Sequence, residues 1–336
     1  MPLSYDALLV LSFGGPGKMA DVTPFLQNVL QGKNMPPQRI KEVARHYALF
    51  DGISPISQQN RNLAKVLQAE LARHGPNLPV YLGNRNWHPL LTDTLKQMTQ
   101  DGIKRALVFV TSVFSSYSGC RQYLEDMQRA RQAVGPDSPQ LDKLRVFYNH
   151  PGFIESVSRC VEDALQKIPA QVCPAARIIF TAHSIPMTMA HTCQYQTQLN
   201  EACRLVCQRL NHHDWTLVYQ SRSGPPTQPW LEPDICDYIE QLGKDHRVKD
   251  IVIVPIGFIS DHMEVIYDLD TQAHDVAQKC NLNMVRAATV INDPHFITMI
   301  RQLIAERFSD SPTRLSMGEL GPAPDTCAPD CCPGKT

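Results

Sequence analysis

The stretch IVIVPIGFISDHMEVIYDLD, residues 251–270, joins one of the most apolar runs in the chain to a strongly charged segment. Its first nine residues are typical of a strand buried on both faces of a sheet. Four acids and a histidine follow in residues 260–270. Asp261 and Glu264 predict a helix start, because Asp261 would be the N-cap of a capping box that Glu264 completes. The alternative is a site that handles a metal ion.

The same succession of a short apolar run and a longer helical stretch recurs along the whole chain. Strands are predicted over 7–13, 80–83, 106–111, 145–148, 178–182, 216–219, 250–256 and 283–287. Helices are predicted over 36–48, 57–74, 89–101, 122–134, 153–167, 187–210 and 233–242. Such alternation is typical of an α/β fold, with a parallel sheet flanked by helices.

An internal repeat divides the chain into two similar Rossmann-like halves. Residues 80–116 and 217–260 share a strand, a polar loop with Arg and a Trp before Pro, a helix, a second strand and a Ser-bearing loop. We therefore expect a half at 1–168, a half at 169–318 and a Cys-rich tail at 319–336, with a cleft between the halves.

Composition favours a globular protein that acts on a small molecule. The chain has 336 residues, 43% hydrophobic and 19% charged, with a net charge of −1, which argues against nucleic-acid binding. No apolar run approaches the ~20 residues of a membrane span, and the first residues lack a cationic signal region. We expect a soluble, cytoplasmic monomer whose 11 cysteines are thiols or metal ligands.

Ligands of such sheets bind beyond the carboxyl ends of the strands. His183 and Glu264 both follow strands of the second half, so they are expected in one cleft. One imidazole and one carboxylate leave most positions of a divalent metal open, as metal transfer requires. The alternative is a hydrogen-bonded structural histidine. Aromatic residues near the loops suggest a large flat substrate, with core packing as the alternative: Phe13, Tyr47, Phe50, Phe114, Tyr117, Tyr123 and Trp230.

Several long blocks resemble the ferrochelatases in order and spacing over nearly the whole chain. They are HYALFDGISPIS (46–57), TSVFSSYSGCRQY (111–123), TAHSIPM (181–187), QPWLEPDI (228–235) and PIGFISDHMEVIYDLD (255–270). The similarity is closest to the coproporphyrin type of actinobacteria. It implies insertion of Fe²⁺ into coproporphyrin III to give coprohaem. Insertion into protoporphyrin IX, another tetrapyrrole chelatase and a non-catalytic tetrapyrrole or iron carrier stay open as alternatives.

The resemblance also implies roles for residues of the second half. His183 corresponds to the family's catalytic histidine and Glu264 to its acidic partner, and both would contact the Fe²⁺ substrate. Asp261 and His262 correspond to residues that orient this acid. Trp230 is expected at the porphyrin.

In the first half, Ser54 and Tyr123 match residues that hold propionates of coproporphyrin. Phe13 stands in the porphyrin-binding loop where some relatives have an iron-ligating tyrosine, so iron delivery from that face is not expected. Leu30 and Gln31 stand where those relatives have paired arginines, so propionate anchoring is expected to differ in part, with Arg45 or Arg121 as candidate anchors.

The tail CAPDCCPGKT, residues 327–336, resembles in part the cluster-binding tails of some ferrochelatases. Those members hold a [2Fe–2S] cluster with three tail cysteines and one mid-chain cysteine, here Cys327, Cys331, Cys332 and Cys160. Four thiolates are the usual complement. The alternatives are a tail without metal and an adventitious zinc site.

Overall fold

The fold is built on two four-stranded parallel sheets, seen here in a computed structural model. The structure describes residues 4–31, 37–169, 175–225, 227–245, 247–328 and 330–334, without the side chains at positions 37 and 39. The first sheet has the order β2-β1-β3-β4, with β1 Ala7–Ser12, β2 Val80–Asn84, β3 Arg105–Val110 and β4 Gln140–Lys143. The second has the order β6-β5-β7-β8, with β5 Arg177–His183, β6 Trp215–Gln220, β7 Asp250–Val254 and β8 Asn283–Arg286.

The two sheets are built alike, which confirms the predicted α/β class with two similar halves. In each sheet the first strand of the half lies between the second and the third. A π-helical turn follows the third strand in both halves, at Tyr117–Arg121 and at Asp268–Ala273. Such turns are rare and frequently occur at functional sites. The loops after the strands are therefore candidate positions for a functional site in both halves.

Helices flank both sheets. They are α1 Met19–Leu30, α2 Pro37–Ala48, α3 Ile56–His74, α4 Leu91–Gln100, α5 Gln122–Val134, α6 Pro151–Leu165, α7 Met187–Ala190, α8 Tyr195–Leu210, α9 Ile235–Lys244, α10 Met263–Ile266, α11 His274–Lys279 and α12 Pro294–Glu306. The start of α12 has Pro at the first position, preceded by Asp293, whose carboxylate accepts the His295 N–H. None of the helices in the described residues has the length and apolar composition of a membrane span.

Two predicted elements differ from the structure. The strand predicted over 145–148 is wrong, because β4 is the polar edge strand Gln140–Lys143, which apolar patterning does not reveal. The buried apolar residues after it belong to a loop. The helix predicted over 187–210 is divided into α7 and α8. Near the break the Thr192 hydroxyl donates to the Met189 carbonyl (3.0 Å), a local hydrogen bond that competes with helix continuation.

One apolar cluster extends through both halves. The last helix, α12, packs against α3 and α6 of the first half. Its Phe296 lies edge-on to Phe109 of β3 and to Phe147, with ring centroids 6.2 and 5.9 Å apart. The halves therefore share a core. The predicted boundary between 168 and 169 stays a prediction, and residues 170–174 beside it lie outside the described residues.

The segment after α12 returns to the first half. Asn149, in the loop after β4, donates to the carbonyls of Met317 (3.2 Å) and Gly321 (2.8 Å), and its own carbonyl accepts the Met317 N–H (2.8 Å). Within the segment itself, Arg314 forms an ion pair with Asp325. These bonds guide the described part of the Cys-rich tail across the first half.

A buried ion pair joins the loop after β4 to α12. Arg145 Nε and Nη2 each donate to the Glu306 carboxylate at 2.8 Å, and Nη2 also donates to the Leu315 carbonyl at 2.9 Å. The two side chains are only 1% and 5% exposed. Two desolvated charges in this geometry depend on each other, since either alone would be an uncompensated buried charge.

Replacing Arg145 with Met should therefore lower the free energy of unfolding by about 3–5 kcal/mol, because Glu306 would stay buried without its cation. Urea titration followed by circular dichroism measures this. The matched control is Arg247→Met, which removes a surface partner of Asp245 and should leave the unfolding midpoint unchanged. Equal midpoints for the two variants would contradict a stabilising role of the buried pair.

Candidate active site

The carboxyl ends of β5, β6 and β7 bring the candidate residues of the second half together. His183 is the last residue of β5 and lies beside Gln220, the last residue of β6. The chain after β7 leads through a turn to α10, which contains Glu264. Because β5 pairs with both β6 and β7, the residues that follow these strands share one edge of the sheet.

His183 and Glu264 face each other. His183 Nε2 lies 3.5 Å from Glu264 Oε1. His183 Nδ1 bonds to the Ser184 carbonyl, which fixes the ring so that Nε2 points at the acid. The Tyr195 hydroxyl donates to the His183 carbonyl at 3.0 Å. The side chains of the pair are 30% and 46% exposed, so both reach solvent in the cleft.

His262, not Asp261, caps the short helix that carries Glu264. The His262 Nδ1 atom accepts the Glu264 N–H at 3.2 Å, and its ring lies edge-on to Phe258 with centroids 4.6 Å apart. The predicted capping box with Asp261 is therefore wrong. An imidazole one residue later satisfies the free N–H of the helix start.

Asp261 instead joins several elements. Its Oδ1 accepts from Arg286 Nη1 (3.2 Å) and from the Thr289 hydroxyl (3.4 Å). Its N–H donates to Gln59 Oε1 (2.8 Å), and its Oδ2 accepts from Gln59 Nε2 (3.4 Å). Asp261 thus anchors the start of the charged segment.

A second carboxylate, Asp268, lies behind Glu264. The Ser221 hydroxyl bonds to Asp268 Oδ2, and Gln220 Nε2 donates to the Glu264 carbonyl. Ser221 has a φ of 62°, a left-handed conformation that is costly for a residue with a side chain and is often found at functional sites. The site therefore contains two acids and one imidazole, held by the end of β6.

Burial and neighbouring charge set the protonation of these groups. Burial works to lower the pKa of His183, but the charge and hydrogen bond of Glu264, together with the Ser184 carbonyl and the Asp268 charge, outweigh burial and raise that pKa to about 9. Burial raises the pKa of Asp268 to about 7, against the hydrogen bond from Ser221. Burial lowers the pKa of His262. The resting site thus has one proton held between His183 and Glu264 at neutral pH, and a second acid that exchanges protons there.

The candidate porphyrin contacts of the first half lie at the ends of β1 and β3. Phe13 follows β1 and is 37% exposed, whereas Ser54 and Tyr123 are only 4% and 5% exposed. The Arg85 guanidinium lies over the Tyr123 ring at 4.5 Å and near the Phe13 ring at 5.8 Å, and it pairs with Asp126. Arg85 therefore covers Tyr123.

Trp230 belongs to the second half. Its indole packs on the backbone of Gly224, where any Cβ would fall 2.3 Å from Nε1. The Nε1 atom is buried and makes no hydrogen bond in the described residues. The backbone of Trp230 also pairs in antiparallel fashion with that of Pro186, three residues after His183. The structure thus places it beside the loop after β5.

The tail cysteines lie near two cysteines of the fold. The Sγ atoms of Cys331 and Cys332 are 3.6 Å apart. Burial and Cys331 raise the pKa of the Cys332 thiol, with smaller contributions from Cys120 and Cys193. Burial, and next Cys120, raise the pKa of the Cys327 thiol. Five thiols are thus grouped, although no three metal-binding side chains of the described residues already surround one metal position.

Cys160 lies in α6 in different surroundings. Burial raises the pKa of its thiol to about 12, and the charged groups that act on it are Asp293, Asp163 and Arg159. In the described part of the chain the mid-chain cysteines that act on the tail thiols are thus Cys120 and Cys193, and Cys160 as the fourth ligand stays a prediction. The reason for this grouping is the path of the tail, which passes the π-helical turn after β3: a Cβ on Gly334 would lie 3.1 Å from the Tyr117 ring.

Some residues of the site were missed by sequence reasoning. Gln220 and Ser221 follow a predicted strand, so the strand-end rule could have identified them. Arg85 likewise follows the strand predicted over 80–83, whereas Gln59 carries no such signal. Gln59 looks like an ordinary residue of a polar helix, and its partner is 202 positions away.

The Glu264→Gln substitution should lower the pKa of His183 from about 9 toward the ordinary value of about 6.5, because the carboxylate that attracts the imidazolium is removed. Proton NMR titration of the His183 ring in metal-free protein measures it. Since the folded pKa lies above the unfolded value, the pair stabilises the fold fully below about pH 6.5, and this stabilisation is lost as the pH rises through 9. An unchanged midpoint in the variant would contradict the pairing.

Comparison with known proteins identifies the family of the chain. A family model described as Ferrochelatase matches residues 5–308. A ferrochelatase of Rhodopirellula baltica is 50% identical, covering 98% of this chain and 93% of that protein. A coproporphyrin III ferrochelatase of Streptomyces griseus is 46% identical, covering 99% and 95%. Among solved structures, SirB from Bacillus subtilis with Fe³⁺ has a TM-score of 0.59 at 11% identity, covering 91% of this chain and 97% of SirB, which supports the fold. The chain belongs to the ferrochelatase family.

Proposed function

We propose that this protein inserts Fe²⁺ into coproporphyrin III to give coprohaem. The observation that carries the proposal is the pair of His183 Nε2 and Glu264 Oε1, 3.5 Å apart and open to solvent at the strand ends. The choice of porphyrin is supported by full-length relatives named coproporphyrin III ferrochelatase, among them the Streptomyces griseus protein. The expected cytoplasmic location and monomeric state stay predictions.

Insertion exchanges one Fe²⁺ for two pyrrole N–H protons, so the site must accept protons and admit a cation. With a pKa of about 9, His183 holds a proton in the resting site and cannot accept another. A cation that approaches Glu264 would neutralise the attraction that holds this proton. The pKa of His183 would then fall, Nε2 would lose its proton, and the imidazole could accept one from a pyrrole nitrogen.

Asp268 is the candidate acceptor for protons that leave the pair. Its pKa of about 7 lets it take up and release protons near neutral pH. Ser221, whose hydroxyl bonds to Asp268, lies in the loop that follows β6. Protons would pass from the His183 side to Asp268 and then toward solvent at this loop.

The first half would hold the porphyrin by its periphery. Ser54 and Tyr123 are the candidate propionate contacts, and Arg85 lies over Tyr123. A propionate that approaches Tyr123 would meet the Arg85 guanidinium, which would exchange part of its bond with Asp126 for the new carboxylate. Such remote contacts can offset the cost of bending the macrocycle so that a nitrogen lone pair points out of the plane.

Anaerobic Fe²⁺ insertion, followed by porphyrin absorbance with coproporphyrin III and protoporphyrin IX in parallel, tests the function. We expect turnover of coproporphyrin III. The His183→Ala variant should lose at least a hundredfold in kcat, typical of a lost general base, while it still binds porphyrin. Preference for protoporphyrin IX would overturn the substrate assignment, and binding without insertion of either porphyrin would indicate a carrier. Wild-type turnover by His183→Ala would overturn the mechanism.

We further propose that the grouped thiols are the site of a [2Fe–2S] cluster. The tail would supply Cys327, Cys331 and Cys332, and Cys120 or Cys193 would supply the fourth thiolate. The residues fit in one respect, because two thiolates on a tetrahedral metal at ~2.3 Å are about 3.8 Å apart, and the Cys331 and Cys332 sulfurs are 3.6 Å apart. Such a cluster accepts an electron and cross-links the segments that hold it.

Iron and acid-labile sulfide in anaerobically purified protein test this assignment. One of Cys120 and Cys193 is the fourth ligand, and replacing that cysteine with serine should remove the iron and the sulfide. Cys160→Ser should retain both iron and sulfide. Loss of the cluster in Cys160→Ser, or its retention when Cys120 and Cys193 are both replaced, would contradict the ligand set. Absence of iron and sulfide from the wild-type protein would contradict the cluster itself.

A further inference from the structure

One polar contact crosses from the first half to the acidic segment of the second. Gln59 lies in the first turn of α3, three residues after Ile56, where the helix begins. Its Oε1 accepts the Asp261 N–H at 2.8 Å, and its Nε2 donates to Asp261 Oδ2 at 3.4 Å. The Gln59 amide therefore bonds to both the backbone and the carboxylate of Asp261, which requires a donor and an acceptor at fixed positions.

The two oxygens of Asp261 have different partners. Arg286 and Thr289, both of the second half, bond to Oδ1. Gln59 bonds to Oδ2. Asp261 is thus fixed from both halves, and Gln59 supplies the contribution of the first.

This contact lies immediately before the catalytic segment. The next residue, His262, accepts the Glu264 N–H, and the Glu264 carboxylate faces His183. A change in the backbone at Asp261 would therefore shift the neighbouring His262, whose ring and carbonyl both bond to the short helix that carries the acid. Because a displacement of about 1 Å can cost a hundredfold in rate, the position of this backbone matters for the chemistry.

Other first-half residues support the far side of the same segment. The ring of His46 stacks on that of Tyr267, with centroids 3.8 Å apart. Met263 packs in an apolar cluster with Phe25 and Tyr47. The segment 261–267 is thus held at both ends by the first half, with apolar and stacking contacts at one end and Gln59 at the other.

We propose that Gln59 is a positioning residue, which sets the distance between Glu264 and His183 by fixing Asp261 from across the cleft. The proposal rests on the proposed function of Glu264 and His183. A positioning role differs from a purely structural one. A contact that only stabilised the packing of the two halves would affect stability and leave the catalytic rate of the folded protein unchanged.

The first test compares Gln59→Met with Gln58→Met, both purified as full-length folded protein. Methionine keeps the length of the side chain and removes its hydrogen bonds. Gln58 is exposed, and its bonds run to Asn62 and Arg61 within α3, so it is a matched control. We expect Gln59→Met to lower kcat for Fe²⁺ insertion by roughly tenfold, which corresponds to the net contribution of about one hydrogen bond. The Kd for porphyrin, measured by fluorescence quenching, should change little. Gln58→Met should behave as wild type.

The second test reverses the direction of the bond. Gln59→Glu keeps the acceptor for the Asp261 N–H but places two carboxylates together, so kcat should fall. Adding Asp261→Asn supplies an amide that donates to Glu at position 59 through Nδ2 while its Oδ1 still accepts from Arg286 and Thr289. The double variant should recover most of the kcat that Gln59→Glu loses.

Wild-type kcat in Gln59→Met, or no recovery in the double variant, would overturn the positioning role. A change confined to the Kd for porphyrin would also overturn it. These outcomes are distinct from failure of the proposed function, which would appear as wild-type turnover in His183→Ala or no insertion by the unmodified protein.

Discussion

The direct pairing of β5 with β7 is the constraint on which the site depends. Parallel neighbours deliver the residues that follow them to the same edge of a sheet, and here this brings His183 and Glu264 within 3.5 Å. Their separation is short enough for the carboxylate to raise the pKa of the imidazole to about 9, although burial opposes it. In the mechanism that we propose, the pair stores a proton that an approaching cation would release, which would couple metal entry to proton uptake from the porphyrin.

The two halves share an architecture but contribute differently. The second half supplies the titrating groups at its strand ends, including Asp268 behind the pair. The first half supplies the covered tyrosine under Arg85 and the contacts that hold the acidic segment, through Gln59 and the stacked His46 ring. The common core around α12 makes these contributions part of one unit, since the last helix of the second half packs on α3 and α6.

The central features of the fold and site were predictable, because they follow from strong patterns. Apolar β-branched runs identified β1, β3, β5 and β7, and the strand-end rule placed His183 and Glu264 in one cleft. The polar strand β4 was not predicted, because an edge strand need not be apolar. The Asp261 cap failed because an imidazole competes for the same N–H, and the grouping of Cys120 and Cys193 with the tail depends on a chain path that no local pattern encodes. Gln59 is the clearest case, since its contact joins positions 202 residues apart.

The most direct measurement is a crystal structure of the protein with metal-free coproporphyrin III. If the second-half pair carries out the chemistry, the macrocycle will lie in the cleft with a pyrrole nitrogen at hydrogen-bond distance from His183 Nε2, directly or through one water, and with propionates near Ser54 and Arg85. A porphyrin bound away from the ends of β5 and β7, or His183 turned from the ring with Glu264 distant from it, would contradict the mechanism.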